Sequence, residues 1–165
     1  MNELTHPLLF TYQDTVSGEG FLAGITLSGR ALMEEEDSQW WMYGVRPGTI
    51  VESGSSPQEA YLRFKNRYME ILFDIANESS TFEAFKQEIE RFFYQPDPEE
   101  EQRWEESLKA IRRGREVSQP FSDLPRQAPE DRPSSVAVKR LDNAELNRFM
   151  PSDNALDRYF IPLAA

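Results

Sequence analysis

Gly54-Ser55-Ser56-Pro57-Gln58-Glu59-Ala60 is the stretch at which this 165-residue chain turns from strand to helix. Ser56 offers a side-chain oxygen to a free first-turn N–H. Pro57 takes the first helical position, where its missing N–H costs nothing, and Glu59 completes a capping box. Downstream, Ala60, Phe64, Tyr68, Ile71 and Ile75 fall on one helical face, with Tyr61 and Leu72 widening it. Lys65, Asn66 and Glu70 lie off that stripe.

Upstream the pattern is that of strands. Leu8-Leu9-Phe10-Thr11-Tyr12 opens one, Ser17-Gly18-Glu19-Gly20 turns it, and Phe21 to Met33 forms a longer second. Glu34-Glu35-Glu36-Asp37-Ser38 reads as a charged loop. Trp40-Trp41-Met42-Tyr43-Gly44-Val45 is an aromatic-rich third strand, and Thr49 to Ser53, after the break at Arg46-Pro47-Gly48, reads as a short fourth strand or a strand end. Strands joined by short polar turns make an antiparallel meander. The fold class expected is therefore α+β: a small antiparallel sheet of three or four strands packed by an amphipathic helix, with further helices and an extended tail.

Beyond Ser79-Ser80-Thr81, the residues Phe82, Phe85, Ile89, Phe92 and Phe93 repeat at helical spacing, and Pro96 and Pro98 end that helix. Pro98 to Arg113 reads as a third helix, acidic early and basic late, with Gly114 just beyond it. Its apolar content, Trp104, Leu108 and Ile111, is thin, which suggests loose packing or packing on a partner. Residues 117–135 carry Pro120, Pro125, Pro129 and Pro133 and read as a linker or wrap. Val136 to Leu141 alternates as a strand, Asn143 to Phe149 suits a short helix, and the apolar Tyr159 to Leu163 suits docking on the body or on a second copy. The organisation expected is an α+β domain over 1–78, a helical extension over 79–116 and a Pro-rich linker with a docking segment over 117–165.

Composition narrows the chemistry. With no cysteine, disulfides and Cys-ligated zinc are excluded, and with His6 as the single histidine so are His clusters and in-chain Ser-His triads. His6 itself reads as solvent-exposed. The net charge of −11 opposes phosphate backbones, disfavours direct nucleic-acid binding and suits a basic protein partner. No apolar run approaches a membrane span and no signal peptide is visible, so the expected location is the cytoplasm.

No residues stand out as catalytic, cofactor-binding or metal-ligating. Ser55 and Ser56 have no base beside them. The acidic runs Glu34 to Asp37 and Glu99 to Glu101 place neighbouring carboxylates in diverging directions and read as solvated charge. Strand alternation puts Trp40 and Met42 on one face and Trp41 and Tyr43 on the other. One pair meets the helix; the other is the candidate partner-binding surface, since a wide aromatic patch left in water is unusual.

The run from Trp41 to Ala76 resembles the HicB-like antitoxin family, in which a strand, a glycine, a second short strand and a Gly-polar-Ser/Thr-x-x-Glu-Ala helix start follow one another. Gly48, Gly54, Ser56, Glu59 and Ala60 stand in those positions. Where the family carries an acidic residue after the glycine, this chain has Ser55. The resemblance covers the first 78 or so residues. It implies a partial ribonuclease-H-like fold that performs no catalysis and masks a small basic ribonuclease toxin. Family members often add a helix-turn-helix or ribbon-helix-helix segment, and no such pattern is visible over 79–165. The expected function is thus non-enzymatic protein binding or self-association into a homo-oligomer. The alternative is a metal-dependent nuclease of the ribonuclease-H superfold built on Asp14, Glu19, Glu52 and Asp74. A small-ligand site between sheet and helices is a third possibility, to which no residue pattern points.

Overall fold

The computed structural model describes residues 5–115, 117, 121–141 and 161–162, the last pair by their backbone only. The chain opens with a long hairpin of β1 (Thr5–Gly18) and β2 (Phe21–Glu36) turned at Glu19-Gly20. There Gly20 takes φ +78°, a backbone region that favours glycine. β3 (Gln39–Arg46) and β4 (Gly48–Gly54) continue the meander. Helices α1 (Pro57–Glu78), α2 (Phe82–Tyr94) and α3 (Pro98–Arg112) follow, then a short 3₁₀ turn at Pro129–Asp131 and β5 (Ser135–Arg140). The sheet order is β4-β3-β2-β1-β6, where β6 is Ile161–Pro162 set against Leu8 and Leu9.

β2 is long enough to serve two neighbours along one edge. Its Arg30–Glu36 half pairs with β3, and its Ala23–Ser28 half pairs with β5. The switch falls at a register shift between Arg30 and Ala31. The fold class is the α+β meander expected, enlarged by β5 and β6, pairings between segments too far apart for local patterns to report.

Glu34, Glu35 and Glu36 correct the loop reading. They belong to β2, paired with Trp41, Trp40 and Gln39, and only Asp37-Ser38 turn, both at positive φ. Glu34 is also not solvated charge. Its carboxylate is mostly covered and pairs with Arg103 at 2.9 Å.

The sheet is apolar on both faces. One face, carrying Leu8, Phe10, Tyr12, Ile25, Leu27, Met33 and Met42, meets α1 and α2 through Phe64, Tyr68, Leu72, Phe85, Ile89 and Phe93. Edge-to-face ring pairs, Phe10–Phe64 at 5.6 Å and Tyr12–Tyr68 at 5.1 Å, join the two layers. This core also takes in Phe121 and Val138, so residues from all three segments expected from sequence share one interior. The other face, carrying Leu9, Leu32, Val45 and Tyr43, is covered by Trp104 and Leu108 of α3. α3 is therefore not loosely packed. Its few apolar residues suffice because they fill a small patch of sheet.

Within α1 the stripe is rotated from the one expected. Leu72 and Ala76 are fully buried, while Ile71 and Ile75 lie at its margin. The Tyr68 hydroxyl is buried with no hydrogen-bond partner, and burial alone drives its pKa up. An unsatisfied buried hydroxyl costs about 1–3 kcal/mol. Tyr68→Phe keeps the ring and removes the orphan group, so we expect stability to rise by about 1 kcal/mol, read by urea denaturation. A loss of stability would mean that the hydroxyl has a partner in solution.

His6 corrects another expectation. It is 5% exposed, its ring 4.7 Å from Phe121 and 6.5 Å from Trp40. Burial lowers its pKa from 6.5 to about 4; a hydrogen bond with the Met33 backbone works the other way, and Arg115 adds to the lowering. Between these two values the unfolded chain binds the proton and the folded chain does not. The term is complete above pH 6.5, falls as pH drops through that window, and is gone below about pH 4. Its size is on the order of 3 kcal/mol. His6→Phe should therefore flatten the pH dependence of stability between 4 and 6.5, measured as the difference from the unaltered chain. Parallel curves would exclude this role.

Candidate functional site

The helix start is built as its sequence indicates, with one adjustment. Ser56 Oγ accepts from the Glu59 N–H at 3.1 Å, and Pro57 sits in the first turn. The returning half of the box goes to the residue before the cap: Glu59 accepts from Ser55 Oγ at 2.7 Å and from the Ser55 backbone. Those bonds, chiefly the one from the Ser55 hydroxyl, lower the Glu59 pKa. Ala60 is buried beneath this turn. Gly54 is needed for closeness. A Cβ there would lie 2.6 Å from Ala60 N and 2.8 Å from Glu59 Cβ. At Gly48 a Cβ would lie 2.8 Å from Asp97 Cβ, so this glycine lets the cap residue of α3 approach β4. Gly48, Gly54, Ser56, Glu59 and Ala60 are thus joints of the fold: they dock α1 and α3 against the terminal strand.

The aromatic quartet divides as strand alternation requires. Met42 is fully buried in the core under α1 and α2, so it cannot meet a partner, which corrects the wider contact set expected. Trp40 lies on the same face, packed on Phe121 with ring centroids 5.8 Å apart. Tyr43 lies on the α3 face, and the Arg103 guanidinium sits 4.6 Å from its ring centroid. Arg103 is held there by Glu34 at 2.9 Å and Glu100 at 3.0 Å. Burial, with the nearby Glu34 carboxylate and its hydrogen bond, pushes the Tyr43 hydroxyl up to about 12. It stays protonated at neutral pH. Trp41 remains partly exposed.

The face carrying Trp41 and Tyr43 gains a residue that the sequence reading left out. Val51 pairs across from Tyr43 on β4, and Ser53 across from Trp41. Val51 is 45% exposed, one of only a few large exposed apolar side chains among the described residues. Trp41, Tyr43 and Val51 therefore share one face at one corner of the sheet. β4 is the terminal strand, with β3 on one side. Arg63 of α1 donates to the Ser53 carbonyl at 3.0 Å, and Arg67 pairs with Glu52 at 3.2 Å. At the turn between β2 and β3 Glu35, Glu36 and Asp37 are exposed, next to Trp41, whose partner across the β2–β3 pair is Glu34. An apolar corner beside an acidic tip is thus available to a partner. A Val in a short fourth strand was the one signal for it.

The acids weighed for a nuclease do not form a centre. Asp14 accepts from the Tyr12 hydroxyl at 2.8 Å, Glu52 pairs with Arg67, Glu19 lies in the first hairpin turn, and Asp74 is exposed on α1. Among the described residues no group of three or more His, Asp or Glu side chains is placed to hold a metal ion. No helix is long and apolar enough to cross a membrane. The helix expected over Asn143–Phe149 lies outside the described residues. No family model, curated protein or solved structure matches the chain.

Proposed function

We propose that this chain is a non-enzymatic binding protein that masks a basic protein partner, in the manner its resemblance to HicB-like antitoxins implies. The observation that carries this reading is the corner formed by Trp41, Tyr43 and Val51 on terminal strand β4, beside the exposed Glu35, Glu36 and Asp37. A partly exposed aromatic next to an aliphatic side chain supplies the anchor, and the acidic tip selects for positive charge. The net charge of −11 works in the same direction and speeds encounter with a basic surface. The order strand, glycine, short strand, capped helix at β3, Gly48, β4 and α1 supports the resemblance.

The test is reconstitution of the complex with the basic protein that co-purifies with this chain, with affinity measured against salt. Trp41→Ala should weaken it by about 30-fold, the scale of an interface anchor. Val51→Lys should weaken it further by placing like charge against the partner. A co-purifying protein that is acidic, or affinities unmoved by both changes, would contradict the reading. So would a chain that returns no partner and is a monomer by light scattering. A homodimer dispersed by Val51→Lys would reassign the corner to a second copy.

A further inference from the structure

α3 and the sheet enclose a second feature on the same side of the molecule. Between Trp104 and the β2–β3 pair lies a cavity of about 470 Å³. This is within the range of small-molecule sites. Arg30 and Arg46 line it from the sheet, Glu101, Trp104 and Glu105 from α3, and Ser134 from the segment before β5. The two arginines are direct cross-strand partners. Like charges so placed repel each other. Arg46 has an answer in its ion pair with Glu101. Arg30 has none: among the described residues no carboxylate lies within ion-pair distance of it. Its guanidinium stands 5.3 Å from the Trp104 ring centroid, and its Nε is buried without a hydrogen-bond partner. Burial, first, and the neighbouring Arg46 charge act against its protonated form, while the carboxylates of Glu105, Glu130 and Glu101, beyond ion-pair distance, act for it. Ser28, two residues back and so on the same face, also holds a buried hydroxyl with no partner.

A guanidinium binds a carboxylate best through two parallel N–H bonds. Arg30 lines the cavity with no carboxylate paired to it. We propose that the cavity is a binding site for a small monocarboxylate, which pairs with the guanidinium of Arg30. Glu101 is already neutralised by Arg46, and Glu105 stands exposed at the rim. The Glu105 carboxylate opposes more highly charged anions, so a singly charged guest is favoured over a phosphate dianion. The ring of Trp104 is covered by Arg30, so recognition rests on the charged end of the ligand. This site is independent of the β4 corner, and either can stand without the other.

Benzoate, with inorganic phosphate as the comparison, serves as the probe for the full chain. Sodium benzoate titrated at constant ionic strength should shift the Arg30 Nε–H and Trp104 indole N–H resonances saturably. Phosphate should bind at least tenfold more weakly. Arg30→Gln should lower benzoate affinity by about 10- to 100-fold, the effect of losing a charge-assisted pair. Arg30→Lys keeps the charge without the planar fork and should lose about as much, and both variants are checked by circular dichroism. If a variant does not fold, Arg46→Gln, which leaves the Glu101 carboxylate unpaired at the cavity, should still weaken binding several-fold. Shifts reproduced by sodium chloride, unchanged affinity in a folded Arg30 variant, or phosphate binding as tightly as benzoate would each overturn the proposal.

Discussion

Phe64→Ala is expected to destabilise the chain by about 3–5 kcal/mol, enough to unfold a marginal domain. Phe64 is 1% exposed and stands where α1 crosses the sheet. Its ring meets Phe10 edge-on, and a Cβ added at Gly44 would come within 3.2 Å of it, so β3 is shaped to receive the ring. Removing it loses the transfer energy of the ring. The cavity left behind cannot collapse, because the sheet on one side and Tyr61 and Tyr68 on the other are fixed by their own packing. The loss should be global: circular dichroism and tryptophan fluorescence should report one coincident transition at lower urea. Separate transitions would mean that α1 is not integral to the core.

Trp104→Ala should cost a similar amount in transfer energy, about 3–5 kcal/mol, yet its consequences should be local. Trp104 is 2% exposed and anchors α3 on Leu9, Leu32 and Val45. Leu108 shares that cluster and Ile111 is also buried on α3, so this truncation removes the largest of the three apolar anchors of the helix. With α3 released, the pairing of Arg103 to Glu34 and of Arg46 to Glu101 would go as well. Hydrogen exchange should then accelerate across residues 98–112 while the amides of β1 and β2 stay protected. Uniform acceleration would show that the α3 layer and the main core unfold together.

These two residues also mark what the sequence disclosed and what it withheld. Phe64 is legible because α1 has a complete cap signal and a stripe at regular spacing. The Ser56 cap and the Thr81 cap of α2 both form as the residue types require. The covering role of α3 was not legible from α3 itself, since three large apolar residues in fifteen fit loose packing equally well. The signal lay instead in the strands. Leu8-Leu9-Phe10 and Leu32-Met33 are apolar at consecutive positions, and a strand with one face in water would alternate. β5 and β6 depend on pairings across more than 100 residues of chain, which no local pattern encodes. His6 read as exposed because its neighbours in sequence are polar, whereas Phe121 and Trp40 enclose it from afar.

The candidate site divides in the same way. Trp41 and Tyr43 were legible as one face by alternation alone. That Met42 and Trp40 turn inward follows from the same rule once α1 is placed. Val51 was not legible, because its exposure depends on β4 being the last strand. Arg30 was invisible for a related reason: a lone arginine within an apolar strand becomes notable only when Arg46 is found opposite it and its Nε is found without a partner.

Hydrogen exchange on the reconstituted complex bears most directly on whether the β4 corner is the docking surface. Bound partner should protect the β4 amides that have no acceptor in β3 and shield the Trp41 indole, leaving the exposed side of α1 unchanged. Protection confined to α1 or α2, with β4 exchanging as in the free chain, would contradict the account.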